Sequence, residues 1–326
     1  MKKCLVTGGA GFIGSNLAER LIRDGVQVRV LDNLNTGFME NLEPFLGDID
    51  FKQGDVRDLD TLQEVMVGVE VVFHQAAVVS VPKSVEDPIE AAMVNDLGTL
   101  HVLEAARRAS VRRVVFASSC AVYGDLPQLP KRENMETRPL SPYAAGKLHG
   151  ETYAFLYSDL YGLEVVCLRY FNVYGPKQDP SSPYSGVISI FMDRAVRGEL
   201  PTIYGDGEQF RDFVYVADVV QANLLAAYRA NIAGTVINVG TGSSVTVNSL
   251  WENISQFAGV AGEPERAEER PGDIRESVAD ISQARELLAY EPHYSFEEGL
   301  ELTWEWYRRK GSQPYAAGRK QLGTKT

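Results

Sequence analysis

Short apolar runs and longer amphipathic stretches alternate along the chain. The runs near residues 3–7, 26–31, 69–73, 112–117, 163–169 and 235–239 are too short for helices and are rich in Val, Leu and Ile, as strands buried on both faces require, and 50–54 is read as a further strand of the series. Between them lie stretches with helical periodicity, at about 12–23, 86–108 and 143–161. Strand, helix, strand in this order predicts an α/β fold built on a doubly wound parallel sheet. From 176 to about 211 the pattern turns irregular and rich in Pro, Gly, Ser and Tyr, as expected of a pocket-forming insertion. The expected division is a sheet domain over 1–175 with a return segment at 213–240. A smaller α/β substrate-binding domain is expected from 176–212 and 241–310, the latter with a short strand around 276–279, and a mobile polar tail over 311–326.

The first strand runs into Gly8-Gly9-Ala10-Gly11-Phe12-Ile13-Gly14. Glycines at this spacing permit a tight turn, close approach of a pyrophosphate to backbone, and packing of the next helix on its strand; the amides of Gly11, Phe12, Ile13 and Gly14 at the helix start then face the phosphates. Asp32 stands at the end of the second strand, where a carboxylate accepts hydrogen bonds from an adenosine ribose and repels a 2′-phosphate; the other reading is a turn cap. No arginine follows in Asn33-Leu34-Asn35-Thr36-Gly37, so NAD is expected rather than NADP. Asp55-Val56 after the third strand either meets the adenine or caps a turn. The fourth strand ends in His74-Gln75-Ala76-Ala77, whose small residues let a cofactor pass, with His74 read as structural.

The fifth strand delivers Ser118 and Ser119 at its carboxyl end, where open α/β sheets place their sites. Tyr143-Ala-Ala-Gly-Lys147 opens a helix after Pro142, and residues four apart share a helix face. A free phenol titrates near pH 10, so phenolate chemistry at neutral pH needs about 4 kcal/mol of stabilisation. An ammonium about 4 Å away supplies roughly that at an effective dielectric near 20. A serine hydroxyl can relay a proton between a substrate alcohol and the phenolate. Taken alone, the Tyr143–Lys147 spacing also fits an ordinary amphipathic helix.

Composition narrows the classes. The 326 residues carry a formal charge of −12, which disfavours nucleic acid and anionic membranes; a polyanionic ligand must meet local cations. No apolar run approaches the roughly 20 residues of a membrane span, and no leader-like segment follows Met1, so a cytoplasmic protein is expected. Cys4, Cys120 and Cys167 stand singly, suggesting neither disulfides nor a metal site.

Together, Thr7 to Gly14, Asp32-Asn33, Asp55-Val56, Ser118-Ser119, Val122-Tyr123-Gly124, Ser141-Pro142-Tyr143 with Lys147, Arg169 to Asn172, Arg211-Asp212-Phe213 and Arg270-Pro271-Gly272-Asp273 resemble the extended short-chain dehydrogenase/reductase family, within it the NAD-dependent UDP-sugar 4-epimerases. The resemblance extends to about residue 309. It implies a Rossmann-type domain, with Ser119, Tyr143 and Lys147 catalytic. It implies NAD contacts from the glycine turn including Gly8, from Asp32, Asn33, Asn35, Thr36, Gly37, Asp55, Val56, Gln75, Ala76, Ala77, Asn95 and Tyr170, and from Tyr143 and Lys147. The sugar nucleotide is expected against Ser80, Ser118, Ser119, Tyr143, Asn172, Val187, Arg211, Arg270, Asp273, Arg275 and Ser277. The helices holding Asn95 and Tyr143 match those that pair in family homodimers.

Family dehydratases carry Asp-Glu where this chain has Cys120-Ala121, and decarboxylating relatives place a glutamate there. The resemblance therefore implies chemistry confined to C4: oxidation to a 4-keto sugar, rotation and re-reduction. Ser277 matches a bulky aromatic in epimerases confined to UDP-glucose and UDP-galactose. A small side chain there leaves room for a 2-acetamido group, so UDP-GlcNAc is favoured, with UDP-glucose as a further substrate. The other readings are a UDP-glucuronate 4-epimerase or ketoreductase, a silent NAD-binding regulator, and a structural partner in a sugar-assembly complex.

Overall fold

The computed structural model describes residues 1–181, 186–269 and 274–311. Six parallel strands, β1 (Lys3–Thr7), β2 (Gln27–Asp32), β3 (Ile49–Gln53), β4 (Val71–His74), β5 (Arg113–Ser119) and β6 (Glu164–Tyr170), lie in the order β6-β5-β4-β1-β2-β3, and Thr235–Val239 joins beside β6. All neighbours are parallel. Strand order reverses at β1, so the carboxyl ends of β1 and β4 flank a crevice. The sheet is the doubly wound one expected, and each expected strand is present with ends moved by one or two residues.

Both faces of the sheet are covered. On one side Val6, Phe73, Val115 and Val166 pack with Leu17 and Leu21 of α1 (Phe12–Arg23) and Val219 and Ala222 of the Val216–Tyr228 helix. On the other, Leu5, Val72, Val114 and Val165 meet Val102 and Leu103 of the Gly98–Arg108 helix and Ala154 of the Pro142–Tyr161 helix. A third core joins the helices Val187–Val196, Val247–Ala258 and Phe296–Lys310 through Phe191, Trp251 and Leu300.

Two expectations need correction. The single helix over 86–108 is instead a series: Val81–Glu86, Pro88–Ala92, a π-helical turn Met93–Leu97, then Gly98–Arg108. Pro88 cannot extend the preceding helix, and Asp87 breaks it with φ −132 and ψ 79 before capping the next piece through the Glu90 amide. The stretch from 176 is less irregular than expected, because it holds the Val187–Val196 helix and a strand, Thr202–Tyr204. The 276–279 strand is present as Glu276–Ser277 and pairs with Phe210–Arg211, bringing Ser277 opposite Arg211. The expected tail lies outside the described residues beyond Gly311.

Candidate active site

The glycine turn forms as its spacing demands. Gly8 has φ +68, and a Cβ there would lie 2.7 Å from the Ala76 amide nitrogen, so only glycine lets the turn pass beneath the loop after β4. A Cβ at Gly14 would strike the Gly8 carbonyl. α1 starts at Phe12 with Gly11 as its N-cap and no side chain capping it, which leaves its first-turn amides available to an anion. Asp32 closes the turn from β2: its carboxylate accepts from the Ala10 amide at 2.9 Å and the Leu34 amide at 2.8 Å. Burial raises its pKa, and those two amides oppose the rise. A carboxylate has about four acceptor positions, so capacity remains for ribose hydroxyls. A Cβ on Gly37 would lie 2.9 Å from both Asp32 oxygens.

The Asn33 side chain donates to Asp55 at 2.8 Å and accepts from the Asn35 amide at 3.0 Å, a local turn that sets the 33–37 segment. Asp55 is gripped by Arg57 at 2.9 Å; although partial burial works the other way, these bonds hold it down at about 2. Val56 is buried against Gly98, where a Cβ would meet it at 2.8 Å.

Three expected cofactor contacts have internal partners. The Gln75 amide donates to the Tyr170 hydroxyl at 3.0 Å and to Asn223 at 3.2 Å, and Asn223 donates back to Tyr170 at 2.8 Å. Asn95 sits in the π-helical turn and clasps the Val78 backbone, accepting at 2.8 Å and donating at 3.0 Å. Its side chain thus braces the loop that Ala76 and Ala77 begin. His74 is buried between Thr7 at 2.8 Å and Thr99 at 3.0 Å. Burial and then the Lys147 charge depress it to about 3, consistent with a neutral structural histidine.

Ser119 is the last residue of β5, and its hydroxyl accepts from the Ala121 amide at 3.2 Å. The Ser119 side chain lowers the Tyr143 phenol's pKa, against the larger effect of burial. Tyr143 begins its helix beside Pro142, and its backbone amide donates to Ser84 at 3.1 Å. Lys147 is 4% exposed and donates to the Ala117 carbonyl at 2.7 Å. Its nitrogen lies 5.8 Å from the Tyr143 ring centroid, so the ammonium faces the ring, one turn along as expected. The electrostatic expectation is corrected. Burial pushes the phenol up to about 12, with the Ser119 side chain opposing, and pulls Lys147 down to about 8. Desolvation is the largest cause of both shifts, and the ammonium is bonded to a backbone carbonyl rather than to the phenol oxygen.

Ser118 turns inward. Its hydroxyl donates to Glu151 at 2.5 Å, and Glu151 forms a buried two-pronged pair with Arg169 at 2.8 and 2.7 Å. The hydroxyl is therefore taken up inside the fold by Glu151. Ser80 caps the Val81–Glu86 helix through the Lys83 amide at 3.2 Å.

On the opposite wall, Asn172 lies in a strand, Asn172–Tyr174, paired with Phe213–Tyr215, and Val187 begins its helix with no side-chain cap. Arg211 donates to the Phe210 and Arg275 carbonyls at 2.8 and 3.1 Å. Arg275 is exposed and paired with Asp206 at 2.7 Å and Glu269 at 3.5 Å, which fits a surface ion pair better than a substrate contact. Arg270 and Asp273 lie outside the described residues. Ser277 is 8% exposed, and its side chain works to lower the pKa of the Cys120 thiol. Burial and then the Asp212 carboxylate push that thiol up to about 11, so it stays protonated at neutral pH.

The glycine cradle, the Asp32 carboxylate and the Ser119–Tyr143–Lys147 cluster thus meet at one edge of one sheet. The family model of the NAD dependent epimerase/dehydratase family matches residues 4–240. The chain belongs to that family. It is 43% identical over 314 residues to a UDP-glucose 4-epimerase of Mycolicibacterium smegmatis, covering 94% of this chain and 99% of the relative. Its structure resembles a UDP-N-acetylglucosamine 4-epimerase of Methanobrevibacter ruminantium in complex with UDP-N-acetylmuramic acid, with TM-score 0.91, 42% identity, and 95% and 99% of the two chains covered. It also resembles a Thermus thermophilus UDP-glucose 4-epimerase in complex with NAD, with TM-score 0.85, 41% identity, and 94% and 99% covered.

For a member of this NAD-dependent family the cradle fits its cofactor: only glycine fits at the turn, the helix start carries no protein cap, and the ribose position offers a carboxylate without an adjacent arginine. Sequence reasoning missed Ser84, Asn223 and Glu151, which hold Tyr143, Tyr170 and Ser118. Their partners lie 59, 53 and 33 residues away, beyond any local pattern.

Proposed function

We propose that this enzyme interconverts the C4 epimers of a UDP-hexose, taking UDP-GlcNAc and UDP-GalNAc as well as UDP-glucose and UDP-galactose. The observation that carries the reading is the cluster itself, Tyr143 with the Lys147 ammonium 5.8 Å from its ring centroid and Ser119 at the end of β5, beside a turn that holds a neutral thiol and no carboxylate. Elimination of water needs a carboxyl pair there, whereas oxidation and re-reduction at C4 need one proton acceptor.

Tyr143 takes the 4″-hydroxyl proton and later returns one to the 4-keto oxygen, with Ser119 orienting the alcohol and relaying the proton. NAD held in the cradle would supply a hydride acceptor and donor, and the positive charge of its oxidised ring would favour the phenolate that burial disfavours. Lys147 orients that region from its tether on Ala117. Asn172 and Arg211, with Arg270 and Asp273, hold the uridine diphosphate while the keto sugar turns its other face to the same wall.

UDP-glucose 4-epimerase is the more frequent name among the relatives, and one UDP-N-acetylglucosamine 4-epimerase is 42% identical, so breadth rests on Ser277. This small buried residue opposite Arg211 stands where the family resemblance places an aromatic in epimerases confined to UDP-glucose. Kinetics of Ser277→Tyr on both substrates test it. Loss of at least tenfold on UDP-GlcNAc with UDP-glucose turnover kept is expected, a methylene-scale clash being worth about 1–3 kcal/mol; equal loss on both would defeat the steric reading. A homodimer is also proposed, supported by exposed Val85, Ile89, Met93, Phe155, Leu156 and Leu160 on the Asn95 and Tyr143 sides of the molecule. Sedimentation should give twice the 36.0 kDa chain mass, and a monomer at micromolar concentration would refute it.

A further inference from the structure

The Arg211-Asp212-Phe213 segment holds a side chain that the mechanism does not use. Asp212 is fully buried. Its Oδ1 accepts from the Thr241 amide and from the Thr241 hydroxyl, both at 2.8 Å. Its Oδ2 accepts from the Gly242 amide at 3.0 Å and the Ala279 amide at 3.1 Å. Its own amide donates to the Ser277 carbonyl at 2.8 Å, and its carbonyl accepts from the Asn172 amide at 3.0 Å. Among the described residues no lysine or arginine forms a salt bridge with it, so four neutral donors carry the carboxylate. Gly240 is glycine for the same reason: a Cβ there would lie 2.7 Å from Oδ2.

We propose that Asp212 is a positioning residue for the sugar nucleotide, one buried carboxylate that sets the mutual register of Asn172, Arg211 and Ser277. This rests on the UDP-sugar reading above. Each neighbour comes from a different segment: Asn172 follows β6, Arg211 precedes Asp212 on the pairing strand, and Ser277 lies opposite Arg211. Ala279, two residues beyond Ser277, is fixed by the carboxylate itself. With no exposed surface Asp212 does not touch substrate; its carboxylate holds Ala279 and the Thr241-Gly242 turn, and its backbone bonds Asn172 and Ser277, so it acts on the three residues through the strands it ties together. Asparagine in its place would turn an N–H group towards at least one of the four donors, leaving a buried clash of like groups.

The test uses the purified, dinucleotide-loaded enzyme and the variants Asp212→Asn and Thr241→Val, the latter removing one donor only. Bound dinucleotide, the Kd for UDP, and KM and kcat for both sugar nucleotides are measured. Asp212→Asn should retain its dinucleotide, raise Kd and KM about tenfold, and leave kcat within about threefold, since uniform binding is lost. Thr241→Val should move Kd and KM the same way by about two- to threefold. A loaded Asp212→Asn enzyme with unchanged Kd and KM, or with kcat alone reduced, overturns the assignment. If Asp212→Asn does not fold, unchanged Kd and KM in Thr241→Val overturn it instead. A wild-type enzyme that binds UDP yet epimerises neither sugar would refute the reaction, while the Kd comparison would still decide Asp212.

Discussion

At the residue scale, two groups that must cooperate disfavour their charged forms before ligands arrive. The Tyr143 phenol stands at about 12 and the Lys147 ammonium at about 8 because each is desolvated; the spacing announced their proximity but not the carbonyl that claims the ammonium. His74 shows the same physics with a consequence that can be weighed. Its pKa in the fold is about 3 against an ordinary 6.5. Below pH 6.5 the unfolded chain takes up a proton that the folded chain refuses, so stability falls as pH drops from 6.5 towards 3, by about 1.4 kcal/mol per pH unit from this group. His74→Asn should flatten the pH dependence of urea-derived stability between pH 6.5 and 4.5 by that slope; parallel curves for the two proteins would contradict it. The placement of Asp32, Ser119, Tyr143 and Lys147 was legible because each stands at a strand end or at one-turn spacing. The internal partners of Gln75, Asn95 and Ser118 were not, since they come from distant segments.

At the scale of elements, the Pro142–Tyr161 helix is registered on β5 by polar contacts rather than by its weak apolar stripe. Lys147 reaches Ala117, and Glu151 one turn further reaches Ser118 and Arg169. Such a buried pair tolerates loss of neither partner alone. Glu151→Gln should lower stability by about 3–5 kcal/mol, the range for breaking a buried ion pair, measured by the urea midpoint; a change under about 1 kcal/mol would mean that the pair does not hold the helix. The helix itself was readable from Pro142 to its Gly162 cap. The broken 81–108 stretch was less so, because Pro88 was visible while the π-helical turn depends on the Asn95–Val78 clasp.

At the scale of the whole molecule, a chain of net charge −12 would take a polyanion, under the proposed function, through the helix-start amides and Arg211. The doubly wound sheet followed from alternation alone, since buried parallel strands leave continuous apolar runs. The Val187–Val196 helix did not, because surrounding Pro, Gly and Ser obscure its period. The central claim is that one proton-transferring wall, Ser119–Tyr143–Lys147, epimerises a UDP-sugar at C4 beside a resident dinucleotide. The most direct measurement is NMR at C4 of UDP-glucose and UDP-GlcNAc incubated separately with purified protein and no added cofactor, alongside Tyr143→Phe. The account predicts conversion to the C4 epimers by the wild type and turnover lower by about 10² to 10⁴ in the variant; unchanged substrates with the loaded wild type, or near-normal turnover in Tyr143→Phe, would contradict it.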